Sequence, residues 1–266
     1  MPSTTISRQN FRLILVAWSL SLTGCGSATD RTFEETIEQS YKVEPATSIS
    51  IKNVDGSIHV YGSPDNEVTL QATKRTYTPK RLKQIAINVS VQPGAIAIET
   101  NFPKEPRWGL FDRSGTVDYT IVVPDTASIS GLELANGEVS VEGMRGQNVH
   151  ARLETGRLVE RNCFSHVDVA VNRGTLTLAY EWWEPGKFSV QANIARGNAI
   201  AFFPGDAVFH LIAKTVHGKI ASDFAPEEER RAEPTAKIEM SVNGGGEARI
   251  KMDTTEGNIK IVEQNP

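Results

Sequence analysis

Cysteine, histidine and aromatic residues are scarce in this 266-residue chain, and each scarcity removes a class of chemistry. There are two cysteines, Cys25 and Cys163, and Cys25 closes an N-terminal apolar leader. No internal disulfide is therefore expected, and stability must come from core burial and backbone pairing. The five histidines, at 59, 150, 166, 210 and 217, show no metal-ligand spacing such as His-x-x-x-His. A net charge of −4 gives no excess of base for nucleic acid, so no nucleic-acid partner is expected. There is no Gly-x-Ser-x-Gly elbow, P-loop or dinucleotide fingerprint, and no cofactor is expected. Helical periodicity is almost missing. Beyond the leader no run is apolar enough to cross a bilayer, so the mature part is expected to be soluble. Its roughly 240 residues suffice for one large β domain or two small ones.

The leader itself carries Arg8 and Arg12, then a mostly apolar stretch from Phe11 to Leu22 that is too short for a permanent membrane span. It ends in Leu22-Thr23-Gly24-Cys25, which resembles the lipobox of bacterial lipoproteins. The resemblance implies cleavage after residue 24, acylation of Cys25 and anchoring through lipid, since each buried methylene contributes roughly 0.8 kcal/mol. The alternatives are an ordinary signal peptide cleaved nearby, or an uncleaved anchor. Residues 25–35 read as the lipidated cysteine and a tether, and Gly26 mildly favours the outer membrane in a Gram-negative cell. Cys163 reads as a small buried apolar residue, because Arg161 alone does not make the basic neighbourhood that a reactive thiol needs.

What the chain has in quantity is a cadence of glycine followed by alternating aliphatic residues. It appears at Asn136-Gly137-Glu138-Val139-Ser140-Val141, Thr155-Gly156-Arg157-Leu158, Arg173-Gly174-Thr175-Leu176-Thr177-Leu178, Arg196-Gly197-Asn198-Ala199-Ile200, His217-Gly218-Lys219-Ile220 and Glu256-Gly257-Asn258-Ile259. Turns fall near 137, 146, 156, 165, 174, 186, 197, 205 and 218. Two strands of about five residues and two turns would make a rung of about twenty residues. Val139, Val141, Val167, Val169, Val171, Leu176 and Leu178 would point inward. An antiparallel meander of hairpins fits the same spacing, since Asn136-Gly137 is a good hairpin turn. Upstream, 36–43, 48–51, 57–62, 67–72, 85–91, 95–98 and 117–123 alternate as strands, with a short helical turn at 80–83. Residues 101–115 and 225–235 read as exposed excursions.

Ile49-Ser50-Ile51-Lys52-Asn53-Val54-Asp55-Gly56-Ser57-Ile58-His59-Val60-Tyr61-Gly62, Val117 to Pro124, Leu134 to Gly143 and Asn243 to Ile261 together resemble the bacterial putative-adhesin family of unknown function, an exported domain. The likeness runs from about 36 to 262. It implies an all-β fold, a right-handed parallel β-helix-like solenoid anchored or displayed at the cell envelope, and it supplies no catalytic residues. The chain departs from the usual pattern at Glu181-Trp182-Trp183-Glu184-Pro185-Gly186, where aromatic bulk replaces a lean turn.

That departure holds the candidate site. Tyr180, Trp182 and Trp183 end a strand, so alternation should turn at least one indole outward, where it could stack on a sugar ring or a protein partner. Glu181 and Glu184 could accept hydroxyl hydrogen bonds beside it. Trp108, near Arg107 and Asp112, is a second candidate. The rings could instead cap an end of the coil or cover a groove in the core. Asp118, Glu138, Glu142, Glu154 and Asp168 would be the carboxylates of a carbohydrate-active enzyme, but they occupy polar positions of strands. Ser165, His166 and Asp168 are too close in sequence for a triad on one strand. The expectation is a noncatalytic, lipid-anchored scaffold or adhesion surface, with a glycosidase or lyase, or a periplasmic accessory or sensor subunit docking through 226–235, as alternatives.

Overall fold

The structure, a computed structural model, describes residues 32–103, 115–226 and 236–264. The leader with Cys25, the loop with Trp108 and most of the charged excursion lie outside the described residues. From Thr32 onward the chain forms one unit, and among the described residues it is all-β apart from one short helix.

The described chain opens with β1 (Phe33–Lys42), which begins in the last residues read as tether and continues through the strand expected from 36, then β2 (Ser48–Ser63) and β3 (Glu67–Thr76). The helix α1 (Pro79–Gln84) starts at Thr78, whose hydroxyl accepts the Arg81 amide, with Pro79 at its first turn. Then come β4 (Ala86–Gln92), β5 (Ala95–Asn101) and β6 (Thr116–Pro124). Four long strands follow: β7 (Ser128–Glu142), β8 (Asn148–Arg161), β9 (His166–Ala179) and β10 (Ser189–Pro204). The C-terminal part is β11 (Phe209–His217), β12 (Ile220–Ser222), β13 (Lys237–Val242), β14 (Arg249–Glu256) and β15 (Ile259–Gln264).

Strands β2, β7, β8, β9 and β10 pair side by side and parallel, in register at Gly56, Gly137, Gly156, Gly174 and Gly197. The meander of hairpins is thus not the arrangement of this block. Nor is each repeat two short strands: a single strand of 14 to 16 residues runs through every one of these glycines. The sites near 146, 165, 186 and 205 are connections between strands, whereas those at 137, 156, 174 and 197 lie within strands. Gly56, Gly137, Gly156, Gly174 and Gly197 have φ between +126° and +142°, a backbone that a side chain resists. A β-carbon on Gly156 would lie 1.8 Å from the Gly137 carbonyl oxygen, and one on Gly174 equally close to that of Gly156. Glycine is required here by the neighbouring repeat as well as by φ.

Alternation then sorts the side chains. The second residue after each glycine, Ile58, Val139, Leu158, Leu176, Ala199 and Ile259, is buried and stacks on its counterparts. Val167, Val169 and Val171 face the same interior, and burying each aliphatic side chain contributes roughly 1.5–3 kcal/mol.

The sheet as a whole is mixed and does not close. Antiparallel strands flank the parallel block: β3 on β6 with β1 outside it, β4 on β5, and at the far end β13 on β11. Three strands sit out of chain order. β2 lies between β7 and the β5–β6 pair, and β14 lies between β10 and β11 while β15 lies between β10 and β12.

Candidate functional site

β9 ends at Ala179, and the Tyr180 amide makes the last bond of its ladder to β10 before the chain turns. Tyr180 is fully buried; its amide donates to the Phe202 carbonyl and its hydroxyl to the Cys163 carbonyl, both at 3.0 Å. Asn162, buried and in the left-handed region with φ +50°, accepts the Glu181 amide at 2.9 Å and so starts the turn. From that point Trp182 faces outward and Trp183 faces the core. Trp182 is 44% exposed. Trp183 packs with ring centroids 5.3 Å from Phe188, 5.4 Å from Phe209 and 5.8 Å from Tyr180, covering the core as the second reading of the segment anticipated.

The exposed indole is fixed in place. Its Nε1 donates to Glu184 at 2.9 Å, and Glu184 also takes Arg145 at 2.5 and 3.3 Å. Hydrogen bonding from Arg145 holds the Glu184 carboxyl below its ordinary value, with Trp182 assisting. The Arg145 guanidinium lies 5.8 Å from the Phe164 ring centre, and Phe164 meets Trp182 at 6.2 Å. Glu181 pairs with Arg161 at 3.3 Å. The result is a rigid aromatic and charged shelf built from Trp182, Phe164, Arg145 and Glu184. Beside it runs a groove of about 440 Å³ lined by the connections that lead into β8, β9 and β10 and by the first residues of β8 and β9.

Beneath the shelf is a buried cluster. Glu160 accepts the Cys163 amide at 2.9 Å through Oε1, while its Oε2 has no hydrogen-bond partner. Burial pushes its carboxyl up to about 8, so it is largely protonated at neutral pH. Burial also raises the Cys163 thiol and the Tyr180 phenol well above their ordinary values, with the Glu160 charge adding to both. Cys163 is accordingly the inert, buried residue expected from sequence.

Three of the carboxylates proposed from sequence for an enzyme, Asp118, Glu154 and Asp168, are engaged by polar neighbours. Asp118 pairs with Arg75 and accepts from Ser57. Glu154 accepts from Asn172, and Asp168 faces His150 at 3.6 Å. His166 faces Ser189 at 3.0 Å rather than Asp168. Among the described residues no three His, Cys, Asp or Glu side chains are grouped to hold a metal ion.

No family model matches the chain, and no curated protein matches it. Among solved structures it is similar to a putative cell adhesion protein from Clostridium sporogenes, at 13% identity over 86% of this chain and 100% of that one, with a TM-score of 0.50. The likeness is one of fold. A putative adhesin from Bacteroides fragilis (13% identity, 86% and 97% covered, TM-score 0.29) and a putative lipid binding protein from Parabacteroides distasonis (14%, 86% and 97%, TM-score 0.28) superpose too loosely to carry an argument.

Sequence reasoning brought Tyr180, Trp182, Trp183, Glu181 and Glu184 to one place but missed Arg145, Phe164 and Glu160. Arg145 and Phe164 lie in connections between strands, and nothing local pairs Arg145 with a residue 39 positions away. Glu160 left a signal. Aligned on the glycines, the fourth position reads Val60, Val141, Glu160, Leu178, Ala201 and Ile261, so one carboxyl stands in an apolar column.

Proposed function

We propose that this protein is a noncatalytic binding module of the bacterial cell envelope, held to a membrane through lipid on Cys25 and contacting an envelope glycan or protein through Trp182. The observation that carries the reading is the exposed indole clamped by Glu184 and Arg145. A surface aromatic held at one rotamer presents a flat apolar face at little entropic cost, and that is how rings of sugars or side chains are received. The second copy of the motif, Trp183, is spent on the core.

The proposed backbone is a β-solenoid. β7 ends at Glu142 and β8 starts at Asn148, yet Val149 lies beside Ile129 at the other end of β7. A straight strand of that length would run roughly 50 Å, and the connection can span only roughly 20 Å. The chain must fold back within each repeat, and the stacked glycines are where it can bend. A coil of this kind offers long polar ladders along its outer face, suited to weak and repeated contacts.

Two experiments test the reading. Full-length protein in detergent, wild type beside Trp182→Ala, is applied to an array of neutral and charged cell-wall polymers and glycans. Retention on one or more that falls about tenfold in the variant, without polymer breakdown, is the expected result; retention equal in both proteins would remove Trp182 from the surface, and degraded polymer would make the protein an enzyme. Separately, Cys25→Ala is expected to leave the protein unlipidated and in the soluble fraction, and a variant that stays with membranes would refute the lipid anchor.

A further inference from the structure

We infer that the groove beside Trp182 receives the carboxylates of an acidic polysaccharide, one of whose sugar rings stacks on the indole. This rests on Trp182 being a binding face and names the class of ligand it serves. The groove is continuous with that face, because Phe164 and Arg145 belong to both. Its lining carries three basic side chains, Arg145, His166 and Lys187, and no acidic one, although the chain as a whole is net negative. The Arg145 charge is offset by Glu184 and Asp125. Lys187 has no ion pair among the described residues, and His166 spends only Nδ1, on Ser189. Ser165, also in the lining, is buried with a hydroxyl that has no partner in the protein.

The polar row continues past the groove. His166, Ser189, Arg249 and His210 stand in register at the starts of β9, β10, β14 and β11, all on the outer face. Arg249 is exposed and without an ion pair among the described residues. Asp168, two residues along β9, is turned to His150. Neighbouring strands are about 4.8 Å apart, close to the advance of one sugar along an extended glycan. The Arg249 amide bonds to the carbonyl of Phe188, next to Lys187, so the two cations lie on adjoining segments where a polymer with charged residues can meet both. A neutral glycan would leave both unused.

The test uses full-length protein in detergent with polygalacturonate, alginate and hyaluronate immobilised beside their methyl-esterified forms. Esterification removes the charge and keeps the ring. The expected result is that at least one acid form is held about tenfold more tightly than its ester, that high salt removes the preference, and that Lys187→Glu with Arg249→Glu abolishes it while the melting temperature is kept. Trp182→Ala should weaken both forms. Equal retention of acid and ester, a preference that survives the double variant, or no retention of any acid form would overturn the inference. The Trp182 surface would still stand on its loss of binding to uncharged polymers in the array, so the two failures are separable.

Discussion

Glu160 occupies a place where the repeats on either side put Val141 and Leu178. A carboxyl there is tolerated because it stays protonated, and the condition for that is pH. Its folded value of about 8 lies above the ordinary 4.5, so the unfolded chain releases the proton first. Stability contributed by the neutral form is whole below about 4.5 and is lost as pH rises to about 8, a fall on the order of 3–5 kcal/mol. Thermal melting of the wild type should therefore drop between pH 5 and pH 8, and that of Glu160→Gln should stay nearly level. Parallel curves for the two proteins would mean that Glu160 is charged when folded. This residue was legible in sequence once the glycines were aligned. The Arg145–Glu184 clamp was not, because it is made by two connections that only the stacking of repeats brings together.

At the level of strands and turns, alternation identified the inward residues correctly: Val139, Val141, Leu176 and Leu178 are all buried. It placed the glycines in turns between short strands, and there the reading departs from the structure. Backbone pairing continues on both sides of each glycine, and only the residue two before it, Ala135, Glu154 or Asn172, drops out of the register, so the bend interrupts the ladder at one position. Glycine composition alone does not distinguish a corner held in a sheet from a free turn. The distinction predicts opposite responses to one methyl group. Gly156→Ala should destabilise by several kcal/mol, since the added carbon would strike the Gly137 carbonyl. Gly186→Ala, with nothing within 4 Å of the new carbon, should stay within about 0.5 kcal/mol. Equal melting shifts in urea titrations of the two variants would contradict the column.

For the whole molecule, the all-β class was plain from sequence, and the order of its strands was not. Nothing in the pattern of Arg249 to Gln264 announces that these residues enter between β10 and β11–β12 instead of following β13 at the edge. Removing 248–266 should strip β10 and β11 of a shared neighbour and leave two long unpaired edges. The truncated chain is expected to aggregate, and a monomeric, cooperatively melting product would show that the inserted pair is dispensable.

The same insertion sets a clock on folding. The space beside β10 stays open until the last twenty residues or so of the chain are available, and β2 likewise waits for β6 and β7 on either side. A polypeptide threaded across a membrane from its N-terminus would thus pass nearly complete before its core could close.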